Sequence, residues 1–113
     1  MSVGPDRGES RPLPGSGDRP SAVTVHWVVT GRVQGVGFRW FVREQARRWG
    51  VRGWVRNRSD GSVEIAASGL PQSIEGLLAA VRRGPDHSAV SEVRLLPGRI
   101  EPDLHDPFSI LKG

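Results

Sequence analysis

Thr30-Gly31-Arg32-Val33-Gln34-Gly35-Val36-Gly37-Phe38-Arg39 is the stretch across which the hydrophobic period of the chain changes. Before it, Val23, Val25, Trp27 and Val29 alternate with more polar residues, the pattern of a β-strand rich in branched side chains. After it, Phe38, Phe41, Val42, Gln45, Ala46 and Trp49 fall on one stripe of a helix. Arg43, Glu44, Arg47 and Arg48 cover the other face, and Gly50 is a natural stop. The stretch is therefore a loop that joins a strand to a helix. Its three glycines let the backbone turn its amides inward without a Cβ clash. A concave set of amides, a helix N-terminus and a guanidinium together hold an anion without a metal. The spacing predicts an anion cradle built from Gly31, Arg32, Val33, Gln34, Gly35, Val36 and Gly37, with Arg39 beside it.

Working outward, Val51-Arg52-Gly53-Trp54-Val55-Arg56-Asn57 alternates again. Val51, Val55 and Asn57 fall on one side, and Arg52, Trp54 and Arg56 on the other. Arg58-Ser59-Asp60-Gly61 carries the Asp-Gly signal of a hairpin, and residues 62–67 return as its partner strand. Gly69-Leu70-Pro71 opens a second helix with the stripe Ile74, Leu77, Leu78 and Val81. Arg82 and Arg83 complement the negative end of its dipole before Gly84-Pro85. Residues 88–96 read as a strand, and Phe108-Ser109-Ile110-Leu111 as a short last one. The order β-α-β-β-α-β with a brief terminal strand predicts an α+β, ferredoxin-like split βαβ sandwich. In it, an antiparallel sheet carries two helices on one face.

Composition narrows the classes of function. The 113 residues suit one small domain, expected over 23–113. Residues 1–22, dominated by Gly, Pro, Ser and charge, are expected to be a disordered tail. There is no cysteine, so disulfides, thiolate metal sites and thiol nucleophiles are excluded. No apolar run approaches the about 18 residues that span a bilayer, and no secretory signal opens the chain. A cytoplasmic monomer is the expectation. The net charge of +4 is uneven: residues 23–58 hold eight arginines against Glu44 alone, whereas residues 59–113 are acidic overall. Positive potential thus surrounds the cradle and favours an anionic ligand.

Commoner phosphate binders do not fit. A nucleotide P-loop needs Lys-Ser or Lys-Thr after its last glycine, where this loop has Phe38-Arg39. A dinucleotide fingerprint would need glycine at position 40, which is Trp40. The pattern Val29-x-Gly31-x-Val33-Gln34-Gly35-Val36-x-Phe38-Arg39 instead resembles the first signature of the acylphosphatases. Gly53-Trp54-Val55-Arg56-Asn57-x-x-x-Gly61-x-Val63, with Gly69 beyond it, resembles their second. The resemblance covers residues 23–113.

The resemblance implies hydrolysis of acyl phosphates, which are mixed carboxylic–phosphoric anhydrides, with no metal and no cofactor. Carried over by position, Arg39 binds the phosphoryl group, Asn57 orients the attacking water, and the Gly31–Gly37 amides form the cradle. Guanidinium forks across two phosphate oxygens as lysine does not, and a carboxamide offers the donor and acceptor that hold a water in line. Arg58 departs from the small hydroxyl residue that many members carry there, which bears on access and phosphate affinity. Phe38, Phe41 and Trp49 read as core; Trp40 and Trp54 lie off those stripes and are candidates for an acyl contact or the rim.

Three further readings are weighed against this one. A noncatalytic module on the same fold would recognise an anion or RNA, with Trp27 and Trp54 as stacking candidates. No RNA-binding signature accompanies them, and nucleic acid is not the expected partner. The acylphosphatase-like module of a larger carbamoyl-transferring protein would need further domains that this length does not hold. Asp103-Leu104-His105-Asp106 superficially resembles a metal-ligand cluster, and a solvated loop is the preferred reading.

Overall fold

The computed structural model describes residues 21–98 and 104–112. Its elements are β1 (Val23–Arg32), α1 (Phe38–Arg48), β2 (Arg52–Asn57), β3 (Val63–Gly69), α2 (Pro71–Arg83), β4 (Ala89–Leu95) and β5 (Ser109–Ile110). The strands lie in the order β4-β1-β3-β2-β5. β1 is antiparallel to both β3 and β4, and β2 is antiparallel to β3. Since β3 separates β1 from β2, the first βαβ unit is split, as the element order predicts. The segment expected to be a tail lies outside the described residues, apart from 21 and 22 ahead of β1.

β5 adds a feature to the expected antiparallel sheet. It pairs in parallel with β2, Trp54 opposite Ser109 and Val55 opposite Ile110, so the five-stranded sheet is mixed. The direction follows from where the chain returns. Leu96 N–H donates to His26 O at 2.7 Å beside β4, whereas His105 O accepts from Gly53 N–H at 2.7 Å near the start of β2. A chain that reaches the far edge at the start of β2 can only run on alongside it.

Register decides which side chains meet. Trp27, Ile65 and Val55 form one row across the sheet, and Val29, Val63 and Asn57 form the next. The apolar members of these rows pack with Phe38, Val42 and Ala46 of α1, Ile74, Leu77 and Val81 of α2, and Phe108. Each large side chain buried there contributes about 1.5–3 kcal/mol. Arg47 ties the terminal segment down, its Nε donating to Phe108 O at 3.0 Å.

Two tryptophans differ from expectation. Trp49 is 42 % exposed because α1 ends at Arg48. Its indole lies against Gly76 of α2, where a Cβ would come within 2.3 Å of the ring. Trp54 is fully buried rather than at a rim. It belongs to the sheet face opposite Val55, edge-on to His26 with ring centroids 6.0 Å apart.

Candidate active site

β1 runs further than the first glycine of the loop. After a register shift between Thr30 and Gly31, Gly31 and Arg32 still pair with Val90 and Ala89. Gly31 has φ 119°, and a Cβ there would sit 2.1 Å from the Ala89 carbonyl oxygen, so only glycine permits this bulge. The turn proper begins at Val33. Gly37, at φ 76°, is the left-handed N-cap of α1. It offers no capping side chain, and the first turn of the helix contains no acid. The backbone N–H groups from Gly35 to Trp40 donate to no acceptor among the described residues. A left-handed residue followed by a helix start turns successive amides toward one concavity, and here the positive end of the dipole is not neutralised.

Arg39, in the first turn of α1, forms no ion pair among the described residues. Asn57, at the end of β2, shares the helix-facing side with Val55. The two line one cavity of about 200 Å³, together with Val33, Gly35, Gly37, Phe38, Trp40 and Ile110. Asn57 Oδ1 is buried there without a hydrogen-bond partner. An unmet buried acceptor costs about 1–3 kcal/mol, so such a group marks a place where a ligand or a water donates.

Of the residues singled out from sequence, Val33, Gly35, Gly37, Arg39 and Asn57 come together on this wall. Gln34 and Val36 lie between them in the loop without lining the cavity, and Gly31 and Arg32 stay in the strand. Gln34 reaches across to the β2–β3 hairpin, where its Nε2 donates to Arg58 O and to Ser62 O, each at 2.8 Å. Sequence reasoning missed Ile110, which reaches the cavity through the parallel pairing of β5. It read Phe38 as core alone, and the ring is both buried and part of the wall.

A larger groove of about 460 Å³ opens beyond Asn57, lined by Arg56, Asn57, Arg58, Ser59, Glu64 and Leu96. Two of its polar groups, Arg56 and Glu64, already serve one another. Glu64 meets His26 Nε2 at 2.5 Å and accepts from Arg56 Nε at 2.8 Å. Burial pushes the Glu64 carboxyl up, but the hydrogen bonds from Arg56 and His26 outweigh it and hold the group below its ordinary value. The Arg56 guanidinium lies 5.1 Å from the centroid of the Trp54 ring. An ionised carboxylate in the wall repels an anion, so the smaller cavity, with its unmet donors, is the better anion site despite its size. Arg58 lines the groove and not the smaller cavity. Asp103 of the suggested metal cluster lies outside the described residues, among which no three His, Asp or Glu are grouped to hold a metal.

The acylphosphatase family model matches residues 25–110, which include both walls of the cavity. The chain belongs to the acylphosphatase family. It is 48% identical over 81 residues to an acylphosphatase of Koribacter versatilis, covering 72% of this chain and 74% of that one. The crystal structure of acylphosphatase from Bacillus subtilis superposes with a TM-score of 0.70 at 40% identity, covering 78% of this chain and 97% of that one. A full-length HypF crystallised in a phosphate- and nucleotide-bound form matches with a TM-score of 0.71 at 28% identity. There the match covers 83% of this chain but only 12% of HypF. Membership in the acylphosphatase family makes the chain an enzyme, whose general reaction is hydrolysis of acyl phosphates.

Proposed function

We propose that the cavity between α1 and the end of β2 hydrolyses acyl phosphates without a metal, with Arg39 and the loop amides gripping the phosphoryl group and Asn57 placing the water. The observation that carries this reading is the pairing, in one cavity, of donors and an acceptor that find no partner among the described residues. Arg39 and the N–H groups from Gly35 onward are donors looking for an anion; Asn57 Oδ1 is an acceptor looking for a proton donor.

In the proposed reaction the water oxygen forms a bond to phosphorus as the bond from phosphorus to the acyl oxygen breaks. The bonding pair leaves with the carboxylate, and the other product is inorganic phosphate. Among the described residues the cavity wall holds no carboxylate or imidazole, and a phosphate oxygen of the substrate is the proposed acceptor of the water's proton. This is feasible because a carboxylate is a good leaving group, and little activation of the water is needed. Charge on the equatorial oxygens is met by amides and a guanidinium that are already in place.

The binding-module alternative loses its stacking platform, since Trp27 and Trp54 are both buried. Every residue assigned a role comes from one chain, so a monomer suffices. The test is hydrolysis of acetyl phosphate and benzoyl phosphate in the presence of a chelator. Turnover that survives chelation and is competitively inhibited by inorganic phosphate is expected; a folded protein without turnover sinks the reading. A pH–rate profile that requires a neutral-range base of the enzyme would count against the proton path.

A further inference from the structure

We propose that Gln34 is a positioning residue that fixes the distance between the phosphate-binding loop and Asn57. The proposal rests on the hydrolytic reading of the cavity and adds a third part to it.

The loop and Asn57 arrive from different elements. The loop hangs between β1 and α1, and Asn57 ends β2 where the chain turns back into β3. An in-line attack needs both in register, and a displacement of about 1 Å can cost 10²-fold in rate. Gln34 spans this gap with a single amide group. Its two protons go to Arg58 O and Ser62 O, both at 2.8 Å. The orientation of the carboxamide follows from its partners, because the opposite flip would set an oxygen against two carbonyl oxygens. Arg58 O belongs to the residue next to Asn57, so the tie lands one residue from the group that it positions.

The hairpin does not depend on this tie for its own closure. Ser62 O also accepts from Arg58 N–H at 2.9 Å, and Arg58 O from Gly61 N–H at 3.2 Å. Asp60 adds a further brace, accepting from Ser62 N–H at 3.0 Å. The mouth of the hairpin is therefore closed without Gln34. What the carboxamide adds is a link between two otherwise separately built halves of the site.

A residue that acts through Asn57 has a signature that a general stabiliser lacks. Gln34→Met keeps the length and shape of the side chain and removes both donors. With benzoyl phosphate as substrate, kcat is expected to fall roughly tenfold, part of what a 1 Å misplacement can cost. The inhibition constant for inorganic phosphate should stay within about twofold, because the amides and Arg39 still grip the anion. In an Asn57→Ala background the same substitution should cause no further loss, since there is no longer a water-orienting group to misplace. Gln34→Met with wild-type kcat, an equal fall in both backgrounds, or a parallel loss of phosphate affinity would each overturn the proposal. Should Gln34→Met not fold, the same comparisons are made with Gln34→Asn, which keeps the donors but is one methylene too short to reach both carbonyls. A wild type without turnover removes the hydrolytic reading and the bridge together. An active wild type with an equally fast Gln34→Met removes the bridge alone.

Discussion

Arg39 and Arg56 stand on opposite sides of Asn57, and their surroundings differ in a way that separates function from stability. Arg56 is fully engaged: Glu64 accepts from its Nε, and the Trp54 ring lies under its guanidinium. Glu64, whose carboxylate offsets the Arg56 charge, also meets His26. Arg39 has no ion-pair partner among the described residues, although amide donors and the start of a helix add to the positive potential around it. A guanidinium kept among other donors is electrostatically unfavourable until an anion arrives. In the proposed reaction the anion binds there, and proteins commonly give up stability at such sites.

The sharpest way to break this comparison is to delete each arginine in turn. Arg39→Ala should reduce kcat/KM for acetyl phosphate by about 10³-fold, a loss in the range seen when a preorganised donor to transition-state charge is removed. Its melting temperature should change little, since the group makes no ion pair among the described residues. Arg56→Ala should do the reverse, destabilising by about 1–3 kcal/mol through lost charge-assisted and cation–π contacts. Its kcat should stay within about twofold of wild type, as it touches no part of the proposed reaction. Comparable phosphate affinity in Arg39→Ala and wild type would show that the role given to Arg39 is wrong.

Asn57 lies between the two arginines and refines the contrast. Asn57→Ala is expected to lower kcat by about 10²-fold while inorganic phosphate still competes with near-normal affinity. Removing a buried carboxamide with an unmet oxygen should leave thermal stability unchanged or raise it, by at most about 1 kcal/mol. A variant that loses stability and phosphate binding together would place Asn57 with the structural cluster instead.

Acid should distinguish the clusters as well. Glu64 is held below its ordinary value of 4.5 in the fold, after burial raises it and the Arg56 and His26 hydrogen bonds lower it further. Its stabilisation is therefore complete above that ordinary value and is lost as pH falls through the lowered one. Glu64→Gln should cost about 1–2 kcal/mol at neutral pH, and the gap to wild type should shrink in chemical denaturation curves as pH falls below the ordinary value of 4.5. Activity at neutral pH should survive. A gap that does not depend on pH would mean that the cluster is held by packing and not by charge.

How much of this could be read from the chain depends on which kind of atom carries the information. The strand-loop-helix unit was legible because the hydrophobic period changes across Gly31–Gly37; parity with Val55 gave the side of the sheet on which Asn57 lies, while the role proposed for it came from the family resemblance. The bulge at Gly31 was not, since register is set by pairing with Ala89 and Val90, far along the sequence. Nor was the bridge from Gln34, whose acceptors are backbone carbonyls that leave no mark on residue type. Trp54 shows a related limit: alternation assigned it to the second face of the sheet without revealing that this face is covered there. Ile110 reached the cavity only through a two-residue parallel strand, too short to have a period at all.

The smallest effect concerns the acyl end of the substrate, and it turns on the other aromatic pair in the comparison. Trp54 stacks under Arg56 and is sealed from solvent, whereas Trp40, next to Arg39, is 58 % exposed and forms part of the cavity wall. If Asn57 holds the water, in-line displacement sends the acyl group away from Asn57, toward the open side of the cavity. Trp40 is the large, exposed apolar surface on that wall. An aromatic contact with a substrate contributes about 0.5–1.5 kcal/mol. Trp40→Ala should accordingly raise KM for benzoyl phosphate by about threefold relative to the change seen with acetyl phosphate, which has no ring to stack. Equal changes for the two substrates would mean that the acyl group leaves into water without touching the indole, and that the exposed ring beside Arg39 does not read the substrate.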